Sequence, residues 1–131
     1  MLLNQLQGAE KKKSFMNLAY QVATADGSLG LPEITMLNLF EEETGLKDWQ
    51  YPKESLDESQ VVAAFPDELS RKIIFSNLLA LSASEEYENP SQSKLLDQLR
   101  DRLAISHEEA KECRDWLKMV KGSYLPHYYI D

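Results

Sequence analysis

Apolar residues along this chain recur three and four positions apart, and no stretch shows the strict alternation of β-branched and polar residues that a half-buried strand requires. The pattern predicts an all-α fold. Residues 3–10 suit a short leading helix. Ser14 is placed to cap a longer one that runs to about Ala25, with Phe15, Leu18, Ala19, Val22 and Ala25 on one face. Asp26-Gly27 stops that helix, because Gly27 tolerates the positive φ of a helix end. Pro32 suits the first turn of the next helix, which carries Ile34, Leu37 and Phe40 inward and closes at Gly45. The segment 47–52 reads as a connection pinned to the core by Trp49 and Tyr51.

A short helix over about 57–65 leads into Pro66-Asp67-Glu68, a helix start with proline in the first turn and carboxylates that favour the positive end of the dipole. The run Ile73, Ile74, Phe75, Leu78, Leu79, Leu81 wraps most of the way round its helix, which predicts the most buried element, with Phe75, Leu78 and Leu79 inside. After the acidic loop 85–88, Asn89 and Pro90 open a helix with an inward stripe of Leu95, Leu96, Leu99 and Leu103. Ser106 and Glu109 form a capping box for a last helix bearing Cys113, Trp116, Leu117 and Val120. From Lys121 onward the chain is rich in aromatics and has no helical signal beyond Gly122.

The order helix, acidic loop, proline-started helix, exit occurs over 14–46 and again over about 73–106. The offset is 58 when Pro32 is set against Pro90, and 59 when Leu37, Phe40 and Leu46 are set against Leu96, Leu99 and Ile105. Two copies related by a pseudo-two-fold would share one core and bring their acidic loops together. Unrelated helical hairpins also share such patterns, so the residues alone leave both origins open.

The run of small residues Ala19, Val22, Ala23 and Ala25, then Asp26-Gly27, a short gap and Glu33 at a helix start, resembles the TerB-like tellurite-resistance family. That fold is shared by the N-terminal domain of a membrane-anchored DnaJ-type cochaperone. The resemblance is specific over 14–46 and one of layout to about 120. It implies a single all-α domain over 1–131 of about six to seven helices, built from two related helical hairpins, with an irregular aromatic tail at about 122–131. It also implies a non-enzymatic, cytoplasmic role in a stress-associated or membrane-linked protein complex. A divalent cation (calcium, magnesium or manganese) would then be held by Asp26 and Glu33.

Composition narrows the function classes. A chain of 131 residues is long enough for one domain with a real core. Net charge is −8, and between residues 26 and 68 eleven acids face only two lysines. So acidic a stretch repels phosphate backbones, which argues against nucleic acid and for cations or a partner protein with a basic surface. A single cysteine makes no intramolecular disulfide, which fits a reducing compartment. Met1-Leu2-Leu3 is followed by polar residues and three lysines, so neither a signal peptide nor direct membrane insertion is expected.

A hard cation needs several oxygen ligands, of which Asp26 and Glu33 can supply two. The second copy offers Glu85, Glu86 and Glu88 on its loop, and the candidate metal set is Asp26, Glu33, Glu85 and Glu86. There the Asp-Gly pair is replaced by Ser84-Glu85 or Glu85-Glu86, and the helix-start Glu by Ser91 or Gln92. Asp26 also reads as a plain turn residue and Glu33 as a dipole-favouring first-turn carboxylate. No cofactor other than the cation is expected. His107 and His127 lie in no catalytic setting, Cys113 falls on an inward stripe, and Gly27 with Gly30 makes no phosphate loop. Glu109-Ala-Lys-Glu112 has the spacing with which all-α pyrophosphatases hold magnesium, but no matching second motif faces it. The rival to cation binding is a metal-independent acidic module for protein–protein interaction.

Overall fold

A computed structural model describes residues 2–46, 50, 58–84 and 89–124, and every regular element among them is helical. A 3-10 turn at Leu3–Gln5 precedes α1 (Ala9–Ala23), α2 (Leu31–Thr44), α3 (Glu58–Ala64), α4 (Glu68–Ser82), α5 (Pro90–Arg102) and α6 (His107–Tyr124). Five of these are long, whereas α3 has only seven residues. Three caps form as their residues dictate. Asp67 accepts the amide of Ser70, Asn89 accepts the amide of Gln92, and Ser106 and Glu109 exchange backbone hydrogen bonds as a capping box.

Five local expectations need correction. Ser14 is not a cap: α1 starts five residues earlier, after Gly8 at φ 86°, because Glu10 and the three lysines are good helix formers that extend the helix upstream. Pro66 lies before the cap residue Asp67, outside the first turn of α4. Ile34 is exposed, because α2 turns Glu33, Met36, Leu37, Phe40 and Thr44 inward instead. Leu79 is only partly buried and packs against the edge of the core. The last helix also runs through Gly122 to Tyr124, into the segment read as irregular. Trp49 and Tyr51 lie outside the described residues.

Helix α4 is the hub and packs on α1, α2, α5 and α6. Ile74, Leu78, Ala80 and Leu81 are wholly buried there, and Phe75 nearly so. Asn77, also fully buried, turns its amide back to the carbonyl of Ile73 at 2.8 Å. Phe15 of α1 and Phe40 of α2 meet edge to face with ring centroids 5.2 Å apart. Each fully buried side chain of this size contributes about 1.5–3 kcal/mol relative to exposure, so this continuous core dominates the stability.

Positions 59 residues apart play matching parts. Helices α1 and α4 have 15 residues each and begin 59 apart, at Ala9 and Glu68. The cap residues of α2 and α5, Gly30 and Asn89, stand at the same offset. Phe15 and Ile74, Met16 and Phe75, Ala19 and Leu78, Val22 and Leu81, Leu37 and Leu96, and Phe40 and Leu99 are all buried. Even the exits correspond: Gly45 at φ 75° ends α2 and Ala104 at φ 54° follows α5, both left-handed. The offset that aligns the helix caps is therefore 59, not the 58 obtained by matching the two prolines.

Candidate functional site

The α1–α2 loop meets the start of α5, and this junction holds the two carboxylates singled out by the sequence. Asp26 follows the end of α1 in an Asx turn. Its Oδ1 accepts the Ser28 amide and hydroxyl, both at 3.0 Å. Its Oδ2 reaches across to the other hairpin and accepts from Nδ2 of Asn89 at 2.9 Å. The Ser28 amide, the Asn89 side chain and the Ser28 hydroxyl together hold its carboxyl below the usual carboxylate range. Because Asn89 caps α5, the Asp26 charge also sits near the positive end of that helix.

Glu33 is the third residue of α2 and is 1% exposed, which is unusual for a carboxylate. Its Oε1 accepts from Nε2 of Gln92, a residue with no exposed surface, at a long 3.4 Å. The other carboxylate oxygen folds over the cap residue: a Cβ on Gly30 would lie 2.8 Å from Oε2. Gly30 has an ordinary φ of −82°, so here glycine supplies room and not an unusual backbone angle.

The structure thus brings Asp26 and Glu33 to one junction, where each accepts from a side-chain amide of the other hairpin. Glu85 and Glu86 lie outside the described residues. Among the described residues no group of three or more His, Cys, Asp or Glu side chains is placed to hold a metal ion. Asn89 and Gln92 are the residues that sequence reasoning missed as members of the site. The 59-residue offset sets Gln92 against Glu33, whereas it sets Asn89 against Gly30 and gives no signal for the contact of Asn89 with Asp26. Oε1 of Gln92 is buried and has no hydrogen-bond partner among the described residues.

Other candidate chemistry is engaged elsewhere. Glu109 and Glu112 both approach Nζ of Lys72, at 3.8 and 3.4 Å, and Glu109 is further committed to the capping box with Ser106. That acid pair therefore faces a protein cation. Cys113 is 4% exposed with Sγ 3.8 Å from the Lys72 carbonyl, and burial pushes its thiol up, away from the reactive thiolate. His107 is exposed at the start of α6, and His127 lies outside the described residues. Among the described residues no helix is long and apolar enough to cross a membrane. Compared with protein-family models, curated proteins and solved structures, the chain gives no significant match to any.

Proposed function

We propose that this chain is a non-catalytic helical module that works by binding another protein, and that its loop carboxylates fasten its two hairpins together without needing a metal. The observation that carries this reading is the occupation of Asp26 by protein donors: Ser28 takes one oxygen and Asn89, from the other hairpin, the other. A carboxylate so engaged must give up good hydrogen bonds before it can ligate a cation. The matched lengths, caps and burial at the 59-residue offset support two related hairpins, the arrangement a TerB-like fold implies. In that reading the module serves a stress-associated complex in the cytoplasm, and its acidic surface suits a partner with basic character.

One observation favours the second reading, a divalent cation at the junction. Asp26, Glu33, Asn89 and Gln92 converge there as four oxygen-bearing side chains, and Gln92 Oε1 is buried with no hydrogen-bond partner among the described residues. Oxygen donors of this type suit calcium, magnesium or manganese. Melting the wild type and Asp26→Asn with and without millimolar calcium or manganese separates the readings. A cation present at a hundred times its dissociation constant would stabilise the wild type by about 2.7 kcal/mol, a rise of roughly 10 °C in Tm. Such a rise in the wild type, lost in Asp26→Asn, would establish the cation. Unchanged melting of both proteins would leave the metal-independent module.

A further inference from the structure

Helices α4 and α6 leave a groove of about 200 Å³ between them. Leu69, Ile73, Cys113 and Trp116 line it, with Leu2 at one end, and its lining is mostly apolar. Leu69 is 61% exposed and Leu2 38%, although α4 buries most of its other apolar residues. Sites for small organic ligands occupy roughly 300–1,000 Å³. This groove is smaller, about the size that takes one large apolar side chain.

Charge at the rim selects the partner. Lys72 overlooks the groove, and its ammonium is shared by Glu68 at 3.4 Å, Glu112 at 3.4 Å and Glu109 at 3.8 Å. Three carboxylates around one cation leave an excess of negative charge. Glu68 and Glu112 keep 75% and 67% of their side-chain surface exposed, so that excess is presented to solvent. The acidic balance of the whole chain adds to the local field. An apolar slot with an acidic rim, formed between two helices, is the complement of a helix that carries one large apolar anchor beside lysine or arginine.

We infer that the α4–α6 groove is the docking site for a basic amphipathic helix of a partner protein, with the anchor seated between Leu69 and Trp116 and its cations on Glu68 and Glu112. This rests on the interaction-module reading and specifies its surface. The Leu69 and rim contacts should carry most of the affinity, as buried anchors do in other helix-in-groove complexes.

The test titrates the full chain with a synthetic helical peptide of leucine and lysine, and with its leucine–glutamate counterpart, following amide and indole NMR signals. The leucine–lysine peptide should bind saturably and move the signals of Ile73, Ser76, Cys113 and Trp116. Leu69→Glu, which folds because the site is exposed, should weaken it by about tenfold or more. Glu68→Gln with Glu112→Gln should weaken it by a few-fold and flatten its salt dependence. Equal binding of the acidic peptide, or no saturable binding of either, would overturn the proposal. Saturable shifts confined to residues 26–34 would also overturn it while keeping the interaction-module reading on a different face. Nuclear Overhauser contacts from Trp116 to Tyr128 or Ile130 in the unliganded chain would make the chain's own tail the occupant, and the inference would fall. So would a dimer that Leu69→Glu dissociates, since a second copy would then fill the groove.

Discussion

The two hairpins, α1–α2 and α4–α5, bury many matching positions and contribute different polar groups to the junction between them. Phe40 answers Leu99 and Ala19 answers Leu78, so both halves supply the core at the same places with different volumes. At the junction the first hairpin contributes acids, Asp26 and Glu33, and the start of α5 contributes amides, Asn89 and Gln92. An acid facing an acid across a pseudo-two-fold would repel unless a cation lay between them, whereas an acid facing an amide forms a hydrogen bond directly. The difference teaches that helices with matched buried positions can meet at a junction closed by hydrogen bonds from amides to acids.

The largest effect expected from breaking this comparison is in the core. Leu78→Ala should cost about 2–5 kcal/mol in urea denaturation, because it gives the second hairpin the small residue that the first carries at Ala19 without the first hairpin's surroundings. A loss under about 0.5 kcal/mol would mean that the site can collapse and the halves are interchangeable. Leu79→Ala, at a partly covered position, should cost clearly less.

The junction comes next. Gln92→Glu places an acid opposite the buried Glu33 and should destabilise by on the order of 3 kcal/mol in chelator, since two carboxylates would then share one desolvated site. If millimolar calcium recovers most of that loss, the junction can be turned into a cation site. If it recovers none, the geometry excludes a cation even with the charge supplied.

Smaller and opposite changes should follow at the helix exits. Gly45→Ala places a Cβ at φ 75° and should destabilise by about 1–2 kcal/mol, while Ala104→Gly relieves a left-handed alanine and should stabilise by about 1 kcal/mol. Thermal melts of the two variants that move in the same direction would show that the exits are not equivalent.

The smallest effect is electrostatic. Lys11 of α1 reaches Asp67 at the start of α4 at 2.7 Å, and this contact, with the Ser70 hydrogen bonds, holds the Asp67 carboxyl well below its ordinary value. A depressed carboxyl contributes stability above its unfolded pKa and loses it as pH falls below about 4. Asp67→Asn should therefore reduce stability slightly at neutral pH and make the decline below about pH 4 shallower. The effect should shrink in high salt, because Asp67 is half exposed. A variant whose acid limb is as steep as the wild type's would place the sensitivity elsewhere.

Much of the fold was legible because its signals are local. The Asn89-Pro90 start, the Ser106–Glu109 capping box and the Gly45 stop each depend on residues within one helical turn, and each formed as read. The misreadings have two causes. Ser14 had the chemistry of a cap but lay inside a stretch that already favoured helix, and Ile34 and Leu79 were apolar at positions where the burying neighbour was absent. Periodicity marks an apolar stripe but does not say how wide a cover other helices will provide.

The candidate site divides in the same way. Asp26 as a turn residue was visible in the sequence, because an Asp before Gly closes its own hydrogen bonds within two positions. That Asp26 also accepts from Asn89, 63 positions away, and that Glu33 lies buried against Gln92, depends on two loops being brought together by helices packed elsewhere. The amino-acid sequence alone determined the helical class, most of the caps and the acidic balance, since these follow from residue type and short-range spacing. Tertiary structure decided which carboxylate is buried, which amide meets it and which leucine stays exposed over a groove, because burial is a property of what packs opposite a residue and not of the residue itself.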